Sequence, residues 1–463
     1  MSNPATGTKE RPLSLSGPTQ KLAQALRRFE GATSSKLREF RAKYPYEELV
    51  SDSVAYCYAQ LVANSFCCQD QAFAAGASRH EVRRAGTEWR CGDRCLDSQK
   101  GRRGDDVLWI PEGASCSSPR LLWIHGGSWQ WGSPDTESYG QLGSKLAALS
   151  GAVVMLIDYP LAPEGNFSTI LQAALQGLQW LAEAPLADLN CASSSSSDGQ
   201  APLFLGGDSS GGGTALSLVL QLKKDGGGQS LAGVILFSPW TNLRCDTPDY
   251  YFNAFAKIND TTDFQTTKLH GEVYVGDLMF RGHPKENLDK FTVNAVNYTG
   301  ADEDLSRDPI ASPFYAGPAE LAGGGLPPLY FAVGGSEAIL GDSLIVAQKA
   351  AFYGAKVHVD VGVGLWHDFP MYSEGCGSGK EIWQAKRTLN RTAQFIREMA
   401  ADRTRASSLG LLWPPAQSSP GTPHTRYVYD LSRKSSREWF PEDLDAALGF
   451  WATSVEELKP DSL

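Results

Sequence analysis

The stretch LFLGGDSSGGG, residues 203–213, places two adjacent serines between two clusters of glycine, directly after an apolar run. Its segment GDSSG, residues 207–211, fits the pattern G-x-S-x-G, a strand-to-helix turn so sharp that the central hydroxyl is exposed above a sheet. The two outer glycines are required because side chains there would clash with the neighbouring strand and helix. The segment lacks the lysine of a P-loop and the spacing of a dinucleotide turn. We therefore predict Ser209 as a nucleophile, followed by the backbone N–H of Ser210.

Short apolar runs alternate with longer helical patterns from about residue 105 onward. The strand candidates are RLLWIHG (120–126), AVVMLIDY (152–159), PLFLGGDS (202–209), AGVILFSP (232–239), PPLYFAVG (327–334) and AKVHVDVG (355–362). Near-continuous apolar runs are typical of strands that are covered on both faces. The βαβα order therefore predicts an α/β fold with a mostly parallel sheet and helices on both sides.

Other segments interrupt or flank this alternation. We predict a disordered N-terminus over residues 1–19, helices over 20–80 and a catalytic α/β domain over 81–400. An aromatic-rich insertion at about 240–315 is too long for a plain connection and indicates a lid or binding element. Shortening it is expected to alter ligand preference more than the folding of the core. Residues 401–463 are predicted to form a Pro/Ser-rich linker and a C-terminal tail.

The charge balance limits the classes of partner. The chain of 463 residues has a net charge of −10, which argues against nucleic acid or anionic lipid as the main partner. No run reaches the roughly 18 apolar residues of a membrane span, and the first 20 residues have no apolar segment of a signal peptide. A soluble cytoplasmic protein is expected, with a weak organelle transit peptide left open. The oligomeric state is left open.

The cysteines do not complete a metal site. Nine cysteines are scattered along the chain, and CGDRC at residues 91–95 has the spacing of half a zinc site. No second Cys or His pair at ligand spacing completes it. We therefore expect no metal, and reduced thiols in an intracellular protein.

A serine nucleophile needs a base, and the base needs an orienting acid. His367 lies in GLWHDFP, just past the last predicted strand, where the base belongs in the chain order Ser, acid, His. Glu337 directly follows the strand PPLYFAVGG and is the favoured acid. Asp342 is the alternative acid, but GDS at 341–343 resembles the N-cap of a helix, so Asp342 is expected to have a capping role instead.

The segment WIHGGSWQWGS supplies candidate donors for an oxyanion. Gly126, Gly127 and Ser128 follow His125, in the manner of an HGGG-type loop after an early strand. With the backbone N–H of Ser210 they form the predicted oxyanion hole, the alternative being an ordinary turn. Trp129, Trp131 and Trp240 are candidates for an apolar substrate pocket, although such aromatics are equally often core residues.

Taken together, the motifs resemble the hormone-sensitive-lipase-like branch of the α/β-hydrolase fold, also called α/β-hydrolase fold-3. HGGSWQWGS, DYPLAPE, GGDSSGG, DPIASP, LPPLYFAVGGSEAILGDS and GLWHDFP follow the family's order across roughly residues 105–400. The resemblance implies that Ser209, Glu337 and His367 occupy the triad positions. It also implies that the N-terminal helices and the insertion form a helical cap over the site.

The resemblance further implies that Gly127, Ser128 and Ser210 donate the oxyanion N–H groups, with Gly126 shaping the turn. Two departures from the family pattern stand out. Ser128 replaces the third glycine of HGGG, which puts a side chain near the acyl group, and Pro160 replaces the arginine of DYRLAPE. The acid is Glu where many members carry Asp.

By resemblance, the expected reaction is hydrolysis of small-molecule carboxylic esters with short to medium acyl groups, through an acyl-serine and without a metal or organic cofactor. The same groups also cleave amides, so an amide or acetyl-group hydrolase of the deacetylase or formamidase type is an alternative. A non-catalytic small-molecule receptor on the same fold is a second alternative. Such receptors typically lose a triad member, whereas this sequence keeps all three.

Overall fold

The computed structural model describes residues 73–401 together with residues 428–430 and 438–439. The gaps within the first range are 85–88, 92–100, 104, 184–200, 227–230, 248, 259–265, 270–271, 276, 282–283, 363–364 and 375–381. Most of the helices predicted over residues 20–80 lie outside the described residues, as do the predicted disordered N-terminus and most of the tail.

Strands and helices alternate through the central part of the chain. The strands are β1 (Ala77–Arg83), β2 (Trp89–Cys91), β3 (Gly101–Arg103), β4 (Asp105–Pro111), β5 (Arg120–Ile124), β6 (Val153–Ile157), β7 (Leu203–Asp208), β8 (Leu231–Phe237), β9 (Ala254–Ile258), β10 (Thr266–Leu269), β11 (Glu272–Val275), β12 (Asp277–Arg281), β13 (Leu329–Gly334), β14 (Val357–Gly362), β15 (Val428–Asp430) and β16 (Glu438–Trp439). The helices are α1 (Glu137–Ser150), α2 (Phe167–Glu183), α3 (Ser209–Lys224), α4 (Asp249–Phe252), α5 (Pro284–Thr299), α6 (Pro318–Leu321), α7 (Leu340–Phe352) and α8 (Trp383–Ala401).

The central sheet has the strand order β1-β4-β6-β5-β7-β8-β13-β14-β15-β16. Strands β6, β5, β7, β8, β13 and β14 are parallel to their neighbours in that order. These are the six strands that the apolar runs predict, so the mostly parallel sheet is confirmed. Strands β1 and β4 pair antiparallel at one edge, and β4 joins β6 antiparallel. Residues 77–80 are therefore strand rather than helix.

Both faces of this sheet are buried, which explains the continuous apolar runs. In β5, Leu122 and Ile124 belong to one core cluster, whereas Leu121 and Trp123 belong to a second cluster on the other face. The first cluster includes side chains of α2, α3 and α7, and the second includes side chains of α1 and α8. Successive strand residues point to opposite faces. Both faces of a strand that is covered by helices on both sides are therefore apolar, and the sequence has a continuous apolar run.

The insertion at 240–315 is of mixed structure, where the sequence predicts a helical cap. Strands β9 to β12 form a separate four-stranded sheet with the order β10-β11-β9-β12. Segments such as AFAKI and EVYV are rich in the aromatic and β-branched residues that favour strands. Helix α5 follows and packs on the main domain through the buried side chains Phe291, Ala295 and Tyr298. The insertion is thus joined to the core.

Two cysteines differ in state. Cys116 is disulfide-bonded, whereas Cys245 is a buried free thiol. Disulfides are typical of oxidising compartments, so the expectation of reduced thiols is wrong for Cys116. Within the part of the chain that the structure describes, no helix is long and apolar enough to cross a membrane.

Candidate active site

Ser209 lies at the junction of β7 and α3, as the first residue of that helix. Its backbone has a φ of 51°, in the left-handed region that non-glycine residues rarely adopt. A Cβ on Gly207 would lie 2.6 Å from the main chain of Gly211, and a Cβ on Gly211 would overlap the carbonyl oxygen of Ile124. The two glycines of the motif are therefore required by the tightness of the turn.

His367 lies beside this turn, in the segment that joins β14 to the short 3-10 helix Phe369–Tyr372. Its Nε2 atom is 2.9 Å from Oγ of Ser209. Both residues are buried, with exposed fractions of 7% for Ser209 and 3% for His367. The structure thus brings the predicted nucleophile and the predicted base to hydrogen-bond distance across 158 residues of chain.

Glu337 follows β13 and approaches the opposite side of the same imidazole. Its Oε2 atom is 3.6 Å from Nδ1 of His367, an ion-pair distance that exceeds a normal hydrogen bond. Oε2 also accepts a hydrogen bond from the backbone N–H of Gly334 at 3.2 Å. Burial raises the pKa of Glu337, and the neighbouring imidazole lowers it in part. Catalytic contacts are often longer before substrate binds.

Asp342, the reserve acid, is directed elsewhere. Its Oδ2 atom accepts hydrogen bonds from the backbone N–H groups of Thr241 and Asn242 and from the Tyr250 hydroxyl, at 3.2, 3.0 and 2.8 Å. Helix α7 begins after Ile339 and has no side-chain cap. The capping role expected for Asp342 is therefore wrong: its carboxylate ties α7 to the segment that follows β8.

The HGGS loop lies against the nucleophile turn. Gly126 donates its backbone N–H to the Tyr139 hydroxyl at 2.8 Å and to Oδ2 of Asp208 at 3.1 Å. That N–H is therefore engaged, which agrees with a role for Gly126 in shaping the turn. Gly127 and Ser128 follow with φ values of 110° and 54°. A Cβ on Gly127 would overlap the backbone carbonyl of Trp131, so this position requires glycine.

Ser210 connects the loop to helix α3. Its Oγ accepts a hydrogen bond from the backbone N–H of Trp129 at 3.1 Å. Ser210 is also the second residue of α3, and the first N–H groups of a helix have no acceptor within the helix. They also lie at the positive end of the helix dipole. This end of α3 therefore suits a developing negative charge next to Ser209.

Two of the three predicted pocket tryptophans are core residues. Trp129 and Trp240 are each 1% exposed. Trp129 stacks on Tyr298 of the insertion with ring centroids 3.7 Å apart, and Trp240 meets Phe291 edge-on at 5.1 Å. Their packing holds the HGGS loop and the insertion together. Trp131 is half-buried, beside the same loop.

Asp277 is a site residue that the sequence did not indicate. It belongs to β12 of the insertion and is fully buried. Oδ1 accepts the backbone N–H of His367 at 3.2 Å, and Oδ2 accepts that of Ala338 at 2.8 Å. One carboxylate therefore connects the histidine loop to the loop of Glu337. No motif surrounds Asp277, so only the folded chain reveals it.

Asp368 is a second carboxylate on the histidine, also not singled out from the sequence. Its Oδ2 atom is 3.1 Å from Nε2 of His367. Its backbone has a φ of 55°, and its N–H donates to Oγ of Ser238 at 3.1 Å. The only signal in the sequence is its position directly after the predicted base.

The electrostatics of the base reflect these neighbours. Burial lowers the pKa of His367, because a low-dielectric surrounding disfavours the imidazolium. The carboxylates of Asp368 and Glu337 outweigh this effect and hold the pKa well above its ordinary value. Asp208, next to the nucleophile, is buried as well. Burial, followed by the charge of Asp368, raises the pKa of Asp208 to about 7.

Comparisons with known proteins show the family and the fold of the chain. A family profile described as the α/β hydrolase fold matches residues 121–371. An acetyl-hydrolase of Streptomyces hygroscopicus is 27% identical over 275 residues, which make up 59% of this chain and 75% of that protein. An esterase of Acinetobacter venetianus is 26% identical over 305 residues, which make up 65% of this chain and 81% of that protein.

Solved structures share the fold. A bacterial esterase of the hormone-sensitive lipase family has a TM-score of 0.51 to this chain at 21% identity, with 83% of this chain and 99% of that one covered. The profile match spans more than half of the chain and includes the GDSSG turn, the HGGS loop and the loop of His367. The chain therefore belongs to the α/β-hydrolase family that this profile describes, and the relatives named above are an acetyl-hydrolase and an esterase.

Proposed function

We propose that the protein hydrolyses carboxylic esters of short to medium acyl length through a covalent acyl-serine, with Ser209 as nucleophile, His367 as general base and Glu337 as its orienting acid. The observation that carries this proposal is the 2.9 Å distance between Oγ of Ser209 and Nε2 of His367. Geometry of this kind, with an acid on the far side of the imidazole, is the requirement for an activated serine.

In the first half of the reaction, Oγ of Ser209 attacks the carbonyl carbon while Nε2 of His367 accepts its proton. The carbonyl electron pair moves to oxygen, and its collapse expels the alcohol, which takes the proton from Nε2. Water then attacks the acyl carbonyl carbon while Nε2 of His367 accepts a proton from it. Collapse of this second intermediate breaks the bond to Oγ of Ser209, which takes the proton back from Nε2, and the carboxylic acid leaves. The carboxylate of Glu337 faces Nδ1, so it stabilises the imidazolium that forms in both halves.

The oxyanion is proposed to lie between the N–H of Ser210 at the start of α3 and the N–H groups of Gly127 and Ser128. Each such donor contributes about 3 kcal/mol in well-studied hydrolases. The bond from the Trp129 N–H to Oγ of Ser210 supports this assignment, because it fixes the loop relative to the helix. No cofactor is needed for these steps.

The acyl group is proposed to be small, with acetyl esters as the first class to test. The relative from Streptomyces hygroscopicus is named an acetyl-hydrolase. Amide cleavage is the second candidate, because the same groups serve both reactions. Parallel rates on an aryl acetate and the matching acetanilide will separate the two: a faster amide would replace the ester proposal.

The decisive experiment is hydrolysis of p-nitrophenyl esters of rising acyl length by the wild type and by Ser209→Ala. We expect activity with short acyl chains, and a loss of about 10³-fold or more in kcat for the variant, because the nucleophile is gone. A fluorophosphonate should add to the peptide that contains Ser209, as read by mass spectrometry.

Ser217→Ala is the matched control, since Ser217 lies farther along α3 and its hydroxyl donates to the backbone carbonyl of Gly213. It should keep wild-type activity. Full activity in Ser209→Ala would reject the serine mechanism, and no turnover of any ester by a folded wild type would reject the esterase.

A further inference from the structure

Two side chains compete for one nitrogen of the base. Nε2 of His367 is 2.9 Å from Oγ of Ser209 and 3.1 Å from Oδ2 of Asp368. An imidazole nitrogen has one in-plane direction, which holds either a lone pair or a hydrogen. It therefore cannot make a full hydrogen bond to both groups at once.

The two contacts demand opposite states of Nε2. To accept the proton of Ser209, Nε2 must present its lone pair. An ionised carboxylate 3.1 Å away would face that lone pair and repel it, whereas it would bind an N–H strongly. When Asp368 is ionised, the favoured state therefore has a proton on Nε2 that is donated to Asp368.

Burial raises the pKa of Asp368, and the imidazole of His367 is the neighbour that lowers it in part. The residue is largely buried, and Oδ1 makes no hydrogen bond with any described residue. A buried carboxylate needs a charged or hydrogen-bonded partner to remain ionised. The partner that its oxygens find is Nε2 of His367.

Building on the proposed function, we propose that Asp368 is a positioning residue that holds the proton on Nε2 of His367 and so keeps the base inactive until the pH is high enough to remove that proton. Activation is the loss of this proton from Nε2 to solvent. The lone pair so exposed then accepts the hydrogen of Ser209.

The other titratable groups around this pair come from four elements. Glu337, after β13, faces Nδ1 of the imidazole, and Asp277, on β12, accepts the backbone N–H of His367. Asp208, at the end of β7, and Tyr139, on α1, interact electrostatically with Asp368. All of these groups remain in an Asp368→Asn variant, so that variant isolates one carboxylate.

The test measures how fast phenylmethanesulfonyl fluoride inactivates the full-length protein between pH 5 and 9. This reagent reports the nucleophilicity of Ser209 without any assumption about the natural ester. The acid limb of this profile is the pH range in which the inactivation rate falls as the pH decreases. In Asp368→Asn the acid limb should move to lower pH by about one pH unit or more, because the charge that retains the proton is gone. Below the wild-type midpoint, inactivation should then be about tenfold faster for each pH unit by which the limb moves.

Controls separate charge from structure. Asp368→Glu keeps the charge and should keep the limb closer to that of the wild type, and Glu112→Gln, an exposed carboxylate, should leave it unchanged. A limb that stays in place or moves to higher pH in Asp368→Asn would overturn the inference.

A second measurement needs no variant. The ¹⁵N spectrum of the imidazole in the wild type should show His367 protonated at both nitrogens at pH 6.5, and a neutral ring would overturn the inference. The esterase function and the role of Asp368 can fail separately. If the reagent reacts at Ser209 and the acid limb shifts in Asp368→Asn, but no ester is turned over, only the esterase function is rejected. No reaction at Ser209 would reject the nucleophile, and the spectrum would still decide the state of His367.

Discussion

At the scale of single residues, the site contains acidic groups with different tasks. Glu337 faces Nδ1 of His367, whereas Asp342 binds backbone N–H groups after β8. Both follow β13 closely in chain order, so the sequence alone leaves the choice open. Of these two side chains, only the carboxylate of Glu337 faces the imidazole, which favours Glu337 over Asp342 as the proposed acid.

Replacing each of these two acids should separate catalysis from stability. Glu337→Gln is expected to lower kcat by about 10²–10⁴-fold, because the imidazolium loses its counter-charge. Asp342→Asn is expected to lower the free energy of unfolding by about 1–3 kcal/mol, since the three donors that meet its carboxylate must share a weaker amide oxygen beside a buried NH₂ group, with kcat nearly unchanged. Ester assays and thermal melts of both variants check this, and the reverse pattern would make Asp342 the acid.

At the scale of elements, the six parallel strands are predictable because each is an apolar run buried on both faces. β1 is not, since ASRHEVR has an edge-strand composition with mostly polar residues and little burial. The strands of the insertion could not be predicted, because the aromatic residues of this segment are compatible with a helical cap as well as with a sheet. Ser209, His367 and the HGGS loop carry motifs, whereas Asp277 acts through a contact between distant segments.

The contact made by β12 gives an element-level prediction. Asp277→Asn leaves one carbonyl oxygen for two donors, the N–H groups of His367 and Ala338. One buried donor then loses its partner, at a cost of about 1–3 kcal/mol. We expect kcat to fall by about tenfold or more with a small change in KM, because the base and its acid move while the acyl site persists.

Asp289→Asn, on the exposed part of α5, is the control for the loss of one charge from the insertion. It should match the wild type in kcat and KM. A rise in KM alone for Asp277→Asn would instead indicate that the insertion only contacts substrate.

At the scale of the whole molecule, the insertion and the catalytic core are one unit. The sequence predicts that shortening residues 240–315 changes acyl preference more than folding. The stack of Trp129 on Tyr298 and the bonds of Asp277 show that such a deletion would also remove supports of the catalytic loops. Acyl preference is better tested by point substitutions than by deletion.

The stability of the whole fold should depend on pH through His358 in the centre of β14. Neither ring nitrogen has a hydrogen-bond partner among the described residues. Burial, and secondarily the charge of Arg391, lowers the pKa of His358 to about 3. The folded state therefore binds fewer protons than the unfolded state between pH 3 and about 6.5. Stability is full above that window and falls by about 1.4 kcal/mol per pH unit within it.

His358→Phe should reduce this loss of stability at low pH, because the new ring packs beside Phe395 and Tyr330 and has no group to protonate. Urea unfolding at pH 7 and pH 5 measures the effect, with His80→Gln as the control for a more exposed histidine. An unchanged pH dependence in His358→Phe would assign the acid sensitivity to other groups.

The stack of Trp129 on Tyr298 has a consequence for how this enzyme diverges from its relatives. The segment that the sequence predicts to shape substrate choice also packs against the HGGS loop and the loop of His367, so mutations that change specificity must spare a few anchor positions. A deep mutational scan should find positions 277, 291 and 298 intolerant within a segment whose exposed positions, such as Val293 and Val296, accept most replacements. Selection for new substrates would then act on the other positions of this segment, between these anchors.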